Sequence, residues 1–190
     1  MITRLRRSAV LTLLLATLVL SGCDTDSLGG DSVILTHTIS EDINGNDVVF
    51  AFSSGDIQEG RLVDIFCGCT LDIEAFLNDQ GFTKSELISA TVQSARIVML
   101  FPTSEQLNFL DEAILKLGAT GASDTEVANV SDLPAAREVN LQTLSSRDVS
   151  SYLERPGFEP ILQINAGDLT DGEDYELSVI LTVRMELEGV

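Results

Sequence analysis

Between Tyr175 and Leu187 the chain alternates almost without fault. Tyr175, Leu177, Val179, Leu181, Val183, Met185 and Leu187 fall on one side; Glu176, Ser178, Thr182, Arg184 and Glu186 fall on the other, with Ile180 the exception. Side chains of a strand point to opposite faces in turn, so this pattern predicts one long strand with a buried face and a wet face. A helix would spread the same apolar residues all round its surface. A strand this long, covered on one face only, requires a second apolar layer above it.

Shorter runs supply candidates for that layer. Residues 33–39 alternate through Val33, Leu35, His37 and Ile39, and residues 48–52 and 62–66 are short, apolar and rich in β-branched or aromatic side chains. Residues 90–101 end in Ile97-Val98-Met99-Leu100-Phe101, apolar on both faces, which predicts a central strand stopped by Pro102. Residues 113–119, 127–130, 139–144 and 161–166 complete the set, with turn residues between many of them, as at Asn44-Gly45-Asn46-Asp47 and Asp171-Gly172. Three short helices are expected among them. Thr70 is placed to cap residues 71–78, Thr83-x-x-Glu86 reads as a capping box with Phe82 and Leu87 as its staple, and a third helix runs from about Ser146 to Glu154. The expected fold is mainly β: an antiparallel β-sandwich, immunoglobulin-like or jelly-roll-like, of about eight or nine strands with two or three short helices in the connections.

The N-terminus follows different rules. Arg4, Arg6 and Arg7 precede an apolar stretch from Ala9 to Leu20, too short at 12 residues to span a bilayer as a helix. Then comes Leu20-Ser21-Gly22-Cys23, which resembles the lipobox of bacterial lipoproteins. That resemblance implies cleavage before Cys23, a diacylglycerol on its thiol, and Cys23 as the membrane anchor; two or more acyl chains hold a protein to a membrane where one is marginal. The expected organisation is a signal peptide at 1–22, a lipidated Cys23 with a short flexible tether to residue 32, and a single domain at 33–190. The expected location is the bacterial cell envelope, on the extracytoplasmic side of a membrane. Asp24 at the position after the cysteine resembles an inner-membrane retention signal, and inner versus outer membrane stays open.

Charge narrows the function classes. The chain carries 30 Asp and Glu against 11 Lys and Arg, a net −19. Loss of residues 1–22 removes three arginines and no acid, leaving −22. Phosphate binding needs a basic face, so nucleic acid is not an expected partner. Lys84 and Lys116 are the only lysines. A dense carboxylate surface with so little lysine resembles proteins of salt-loving bacteria, where ionic strength screens self-repulsion.

Cys67-Gly68-Cys69 is the sharpest chemical feature of the body. With Cys23 lipidated, these are the only remaining thiols, in a compartment that is often oxidising. The pair reads as a disulfide or redox-active couple, as a foothold for a soft metal, or as a structural clip or two reduced, half-buried thiols. It does not open a helix in a βαβ pattern, as a thioredoxin-like site would. Two acid-rich segments, Asp42–Asp47 and Asp168–Asp174, suggest calcium, but neither has EF-hand spacing, and hairpin turns use the same residues for backbone geometry. No Gly-x-Ser-x-Gly, Ser-x-x-Lys, His-Glu-x-x-His or phosphate-loop motif occurs. The single histidine, His37, is expected as a core or rim residue of its strand, not as a general base.

The sequence therefore assigns no catalytic residue, no metal ligand and no cofactor. The expected role is a non-catalytic binding or envelope-structural domain whose partners are the membrane, through its anchor, and an envelope protein or glycan. The alternatives are a thiol-redox or soft-metal-handling lipoprotein using Cys67 and Cys69, and a calcium- or glycan-binding module.

Overall fold

The computed structural model describes residues 32–167 and 169–189. Nine strands form: β1 (Ser32–Ile39), β2 (Val49–Ser53), β3 (Val63–Phe66), β4 (Leu87–Phe101), β5 (Leu110–Gly118), β6 (Thr125–Ser131), β7 (Glu138–Thr143), β8 (Glu159–Ala166) and β9 (Asp174–Glu188). Each coincides with one of the nine runs read from the sequence. All pairings are antiparallel, in the order β1-β9-β4-β7-β6-β5-β8-β3, with β2 following β1 along the same edge of β9. The sheet curls, because β7 pairs with β4 through residues 138–141 and with β6 through residues 142–143. One apolar cluster then fills the space between its halves, uniting Phe50, Ile97 and Val179 with Leu115, Leu162 and Ile164.

The long alternating run is β9, and all seven of its apolar residues named above are buried. It carries β1 and β2 on one side and β4 on the other. Tyr175 opens the strand, stacked 5.4 Å from Phe52 and tilted 5.1 Å from Phe109, while its hydroxyl accepts the Thr170 N–H at 3.0 Å. β4 is central, as expected, but only one of its faces reaches the core. Ala90 and Val92 point inward, a bulge between Val92 and Ser94 shifts the phase, and Ala95, Ile97 and Met99 take over. Val98 and Leu100 are half-buried and Phe101 is 46% exposed, because no layer of the described residues covers the outer face.

The helices are shorter than their sequence signals. α1 spans Glu74–Asp79 rather than 71–78. Leu71 exchanges backbone hydrogen bonds with Phe158 at 2.7 and 3.0 Å, so it is held as a β-bridge, and the Asp72 carboxylate, not Thr70, accepts the first helical N–H, from Glu74, at 2.8 Å. The segment after Thr83 is a single 3-10 turn, Lys84–Glu86. Its box is present: the Glu86 carboxylate accepts the Thr83 N–H at 2.6 Å and the Thr83 hydroxyl at 2.8 Å, which holds its carboxyl below the usual range. The third helix, α2, covers only Ser150–Leu153. Residues before it are fastened to β4 instead: Val149 N–H donates to the Ala90 carbonyl at 2.7 Å and Asp148 accepts the Ala90 N–H at 3.0 Å.

Where the β1–β2 edge faces β3, β2 approaches β3 directly and residues 67–86 close the remainder of that side. Leu71, Ile73 and Leu77 from this segment are fully buried. A helix of six residues has little stability alone, so burial of these side chains is what fixes α1 in place.

Candidate functional site

A concavity lies where this closing segment meets the end of β1. It is a cleft of about 840 Å³, walled on one side by His37, Ile39 and Asp42 and on the other by Asp72, Phe76 and Asp79. His37 reaches its floor from the inward face of β1, and its ring stacks on Phe76 of α1 with centroids 4.1 Å apart and planes at 18°. Ile43, 59% exposed, stands at the rim.

Carboxylates dominate the lining: Glu41, Asp42, Asp72, Glu74 and Asp79. Lys84 answers two of them, at 2.6 Å from Asp72 and 3.9 Å from Glu74, and also donates to the Arg155 carbonyl at 3.2 Å. The cleft is thus net negative, a field that favours cations and repels anions. Asp42 is already engaged by its own turn. Its carboxylate accepts the backbone N–H groups of Asn46 at 2.9 Å and Asn44 at 2.8 Å, and the Asn46 bond leads in holding its carboxyl below the ordinary value. Gly45, at φ 77°, supplies the left-handed residue this turn requires.

Burial lowers the His37 pKa below its ordinary 6.5, since the half-buried ring pays to become charged. The unfolded chain therefore takes up the proton first as pH falls. Stability contributed by the neutral ring is full above 6.5 and declines as pH drops through that value toward the lower folded one. Replacing His37 with Phe keeps a ring on Phe76 and removes the titration. The expected result is that the melting temperature of His37→Phe falls less between pH 7 and pH 5.5 than that of the unmodified protein. Equal slopes in thermal scans would contradict this role for the ring.

The structure disposes of the remaining sequence candidates as follows. Cys67 and Cys69 are joined in a disulfide directly after β3. Asp168 lies outside the described residues. The rest of its segment forms a turn into β9, in which Gly172 N–H donates to Ser54 at 2.9 Å and Asp174 accepts the Ser53 hydroxyl at 2.6 Å. Among the described residues no three His, Cys, Asp or Glu side chains come together as a metal site. Cys23 also lies outside the described residues. The chain matches no protein-family model and no curated protein by sequence.

Two features escaped the sequence reading. The cleft unites residues about 35 positions apart, and only the alternation that turns His37 inward hinted at it. Arg137 was silent altogether. Its guanidinium donates to the carbonyls of Met99 (2.6 Å), Leu100 (3.4 Å), Pro102 (3.3 Å), Thr103 and Glu105 (3.1 Å), holding the whole turn between β4 and β5.

Proposed function

We propose that the chain is a lipid-anchored protein of the bacterial envelope whose β-rich domain binds a partner and performs no chemistry of its own at the cleft. The observation that carries this reading is the ordered signal at the N-terminus: Arg4, Arg6 and Arg7, the apolar stretch to Leu20, then Leu20-Ser21-Gly22-Cys23. Support also comes from β1 beginning at Ser32, so that eight residues rich in Asp and Gly separate Cys23 from the folded body. The domain would stand close to the bilayer, and its negative charge would keep it from lying down on anionic lipid. The partner is an envelope protein or glycan; the acidic cleft suits one that presents a cationic group.

Replacing Cys23 with Ala tests the anchor. The expected outcome is transfer of the protein from the membrane fraction to the soluble fraction of fractionated cells. Retention of the variant in the membrane, in amounts equal to the unmodified protein, would refute anchoring through Cys23.

The surface charge carries its own consequence. Among the described residues only Asp64, Asp72, Glu74 and Glu138 lie within 4.0 Å of a Lys or Arg nitrogen. Most carboxylates therefore face one another through water, and salt screens that repulsion. Raising NaCl from about 0.1 M to 2 M is expected to raise the melting temperature by roughly 10 °C. A flat or falling response in thermal scans would remove the screening account.

A further inference from the structure

We propose that Cys67-Gly68-Cys69 is a reversible thiol–disulfide exchange site for a dithiol donor, with Cys67 Sγ the atom that is attacked. This goes beyond the binding reading and does not depend on the anchor. The pair follows β3, the last strand of the sheet, whose outer edge pairs with no other strand among the described residues. Gly68 sits at φ 63° with no atom within 4 Å of the position a Cβ would take, so the connecting residue stands clear of the body. Phe66, immediately before the pair, is 58% exposed and offers an apolar foothold beside the sulfurs. The two cysteines differ: Cys67 is partly open, whereas Cys69 is 8% exposed and belongs to the core.

That asymmetry is what exchange requires, with one sulfur reachable and its partner shielded from capture. The Cys69 backbone N–H donates to Cys67 Sγ at 3.2 Å, so a donor already points at the sulfur that departs as thiolate when the mixed disulfide resolves. A structural role explains the bond poorly. Only one residue lies between the cysteines, and closing so short a loop removes little freedom from the unfolded chain. The chain on either side is held independently: Phe66 pairs with Ile161, Ile43 N–H donates to the Thr70 carbonyl at 3.0 Å, and Leu71 bridges Phe158. The pair can open while its flanks remain in place.

The step balances as an ordinary dithiol exchange. A thiolate of the donor attacks Cys67 Sγ, the bond between Cys67 and Cys69 breaks, and its electron pair leaves on Cys69 Sγ, which takes a proton. The donor's second thiolate then attacks the donor sulfur of the mixed disulfide, and Cys67 departs as thiolate, steadied by the Cys69 N–H. The donor is oxidised to its disulfide and the pair is reduced by two electrons.

The test uses the purified full-length protein without denaturant. Dithiothreitol opens the bond, an alkylating reagent traps the thiols, and mass measurement follows them with time. Opening in the native protein is expected to run within about tenfold of the rate in urea and to reverse fully with oxidised dithiothreitol. Reduced glutathione is expected to form its mixed disulfide on Cys67 about tenfold more than on Cys69. Native opening suppressed more than a hundredfold, and rising with urea in step with unfolding, would overturn the proposal in favour of a buried clip. Capture of glutathione equally on Cys69 would overturn the assignment of Cys67. Because both readings come from the unmodified protein, no variant needs to fold.

Discussion

Replacing Arg137 with Ala is expected to cost about 3 kcal/mol of stability, a fall in melting temperature of roughly 6–12 °C for a domain of this size. One guanidinium donates to five carbonyl oxygens, two at the end of β4 and three in the turn that leads to β5. The backbone around it is tied to the same turn: Met99 N–H donates to the Arg137 carbonyl and Leu107 N–H to the Ala136 carbonyl, each at 2.8 Å. A charged donor contributes roughly 1.5–3 kcal/mol per bond in partly buried settings, although bonds sharing one side chain do not add. Deletion leaves carbonyls that water reaches only in part, which is why the loss exceeds that of an ordinary surface arginine. Lys at this position keeps the charge but lacks the planar fork, so Arg137→Lys is expected to recover less than half of the loss. Chemical denaturation of the three proteins measures this. An Ala variant within about 0.5 kcal/mol of the unmodified protein would show the turn to be held by other means.

Leu77→Ala is expected to cost about 3 kcal/mol as well, from lost burial and the cavity left behind. Leu77 is fully buried although it sits on a six-residue helix outside the sheet. It is there because residues 67–86 close the remainder of the side where the β1–β2 edge faces β3, with Ile73 and Leu71 beside it. Substituting Ser for exposed Ile43, across the cleft, is expected to change stability by less than about 0.5 kcal/mol. The contrast separates a closing segment that is part of the core from one laid over a sheet that is complete without it. If Leu77→Ala and Ile43→Ser cost the same small amount, α1 is an appendage.

The strands were legible because each carries its own period. The alternation in β9 and the short apolar run of β2 mark burial locally, with no knowledge of the partner strand; the run of β3 marks a strand, but only Ile65 in it is buried. The order of the strands was not legible. That β7 serves both halves of the sheet depends on which distant strands meet, and Val139 and Leu141 look no different from inward residues of any other strand. Two of the three helix signals mark α-helices shorter than expected, and the third, after Thr83, marks only a 3-10 turn. Thr70 and Ser146 lie beside residues with helical preference, but Leu71 and Val149 found backbone partners on Phe158 and Ala90, and those bonds ended the helices early. The acid-rich loop at Asp42 shows the reverse: Asn-Gly-Asn is a local signal, and the turn it specifies uses the carboxylate within its own loop. For Cys67 and Cys69 the spacing left several chemistries open. Exposure and hydrogen bonding, which no spacing encodes, separate the two sulfurs.

The proposed anchor at Cys23 lies at the far end of the chain from these details, and the mass of the N-terminal peptide tests it. The protein is extracted from membranes of the producing bacterium and digested, and its N-terminal peptide is weighed. A peptide that begins at Cys23 and carries a diacylglycerol, with or without a further acyl group on the new amine, is the predicted result. A peptide beginning at Met1, or one beginning near Cys23 with an unmodified thiol, would contradict it.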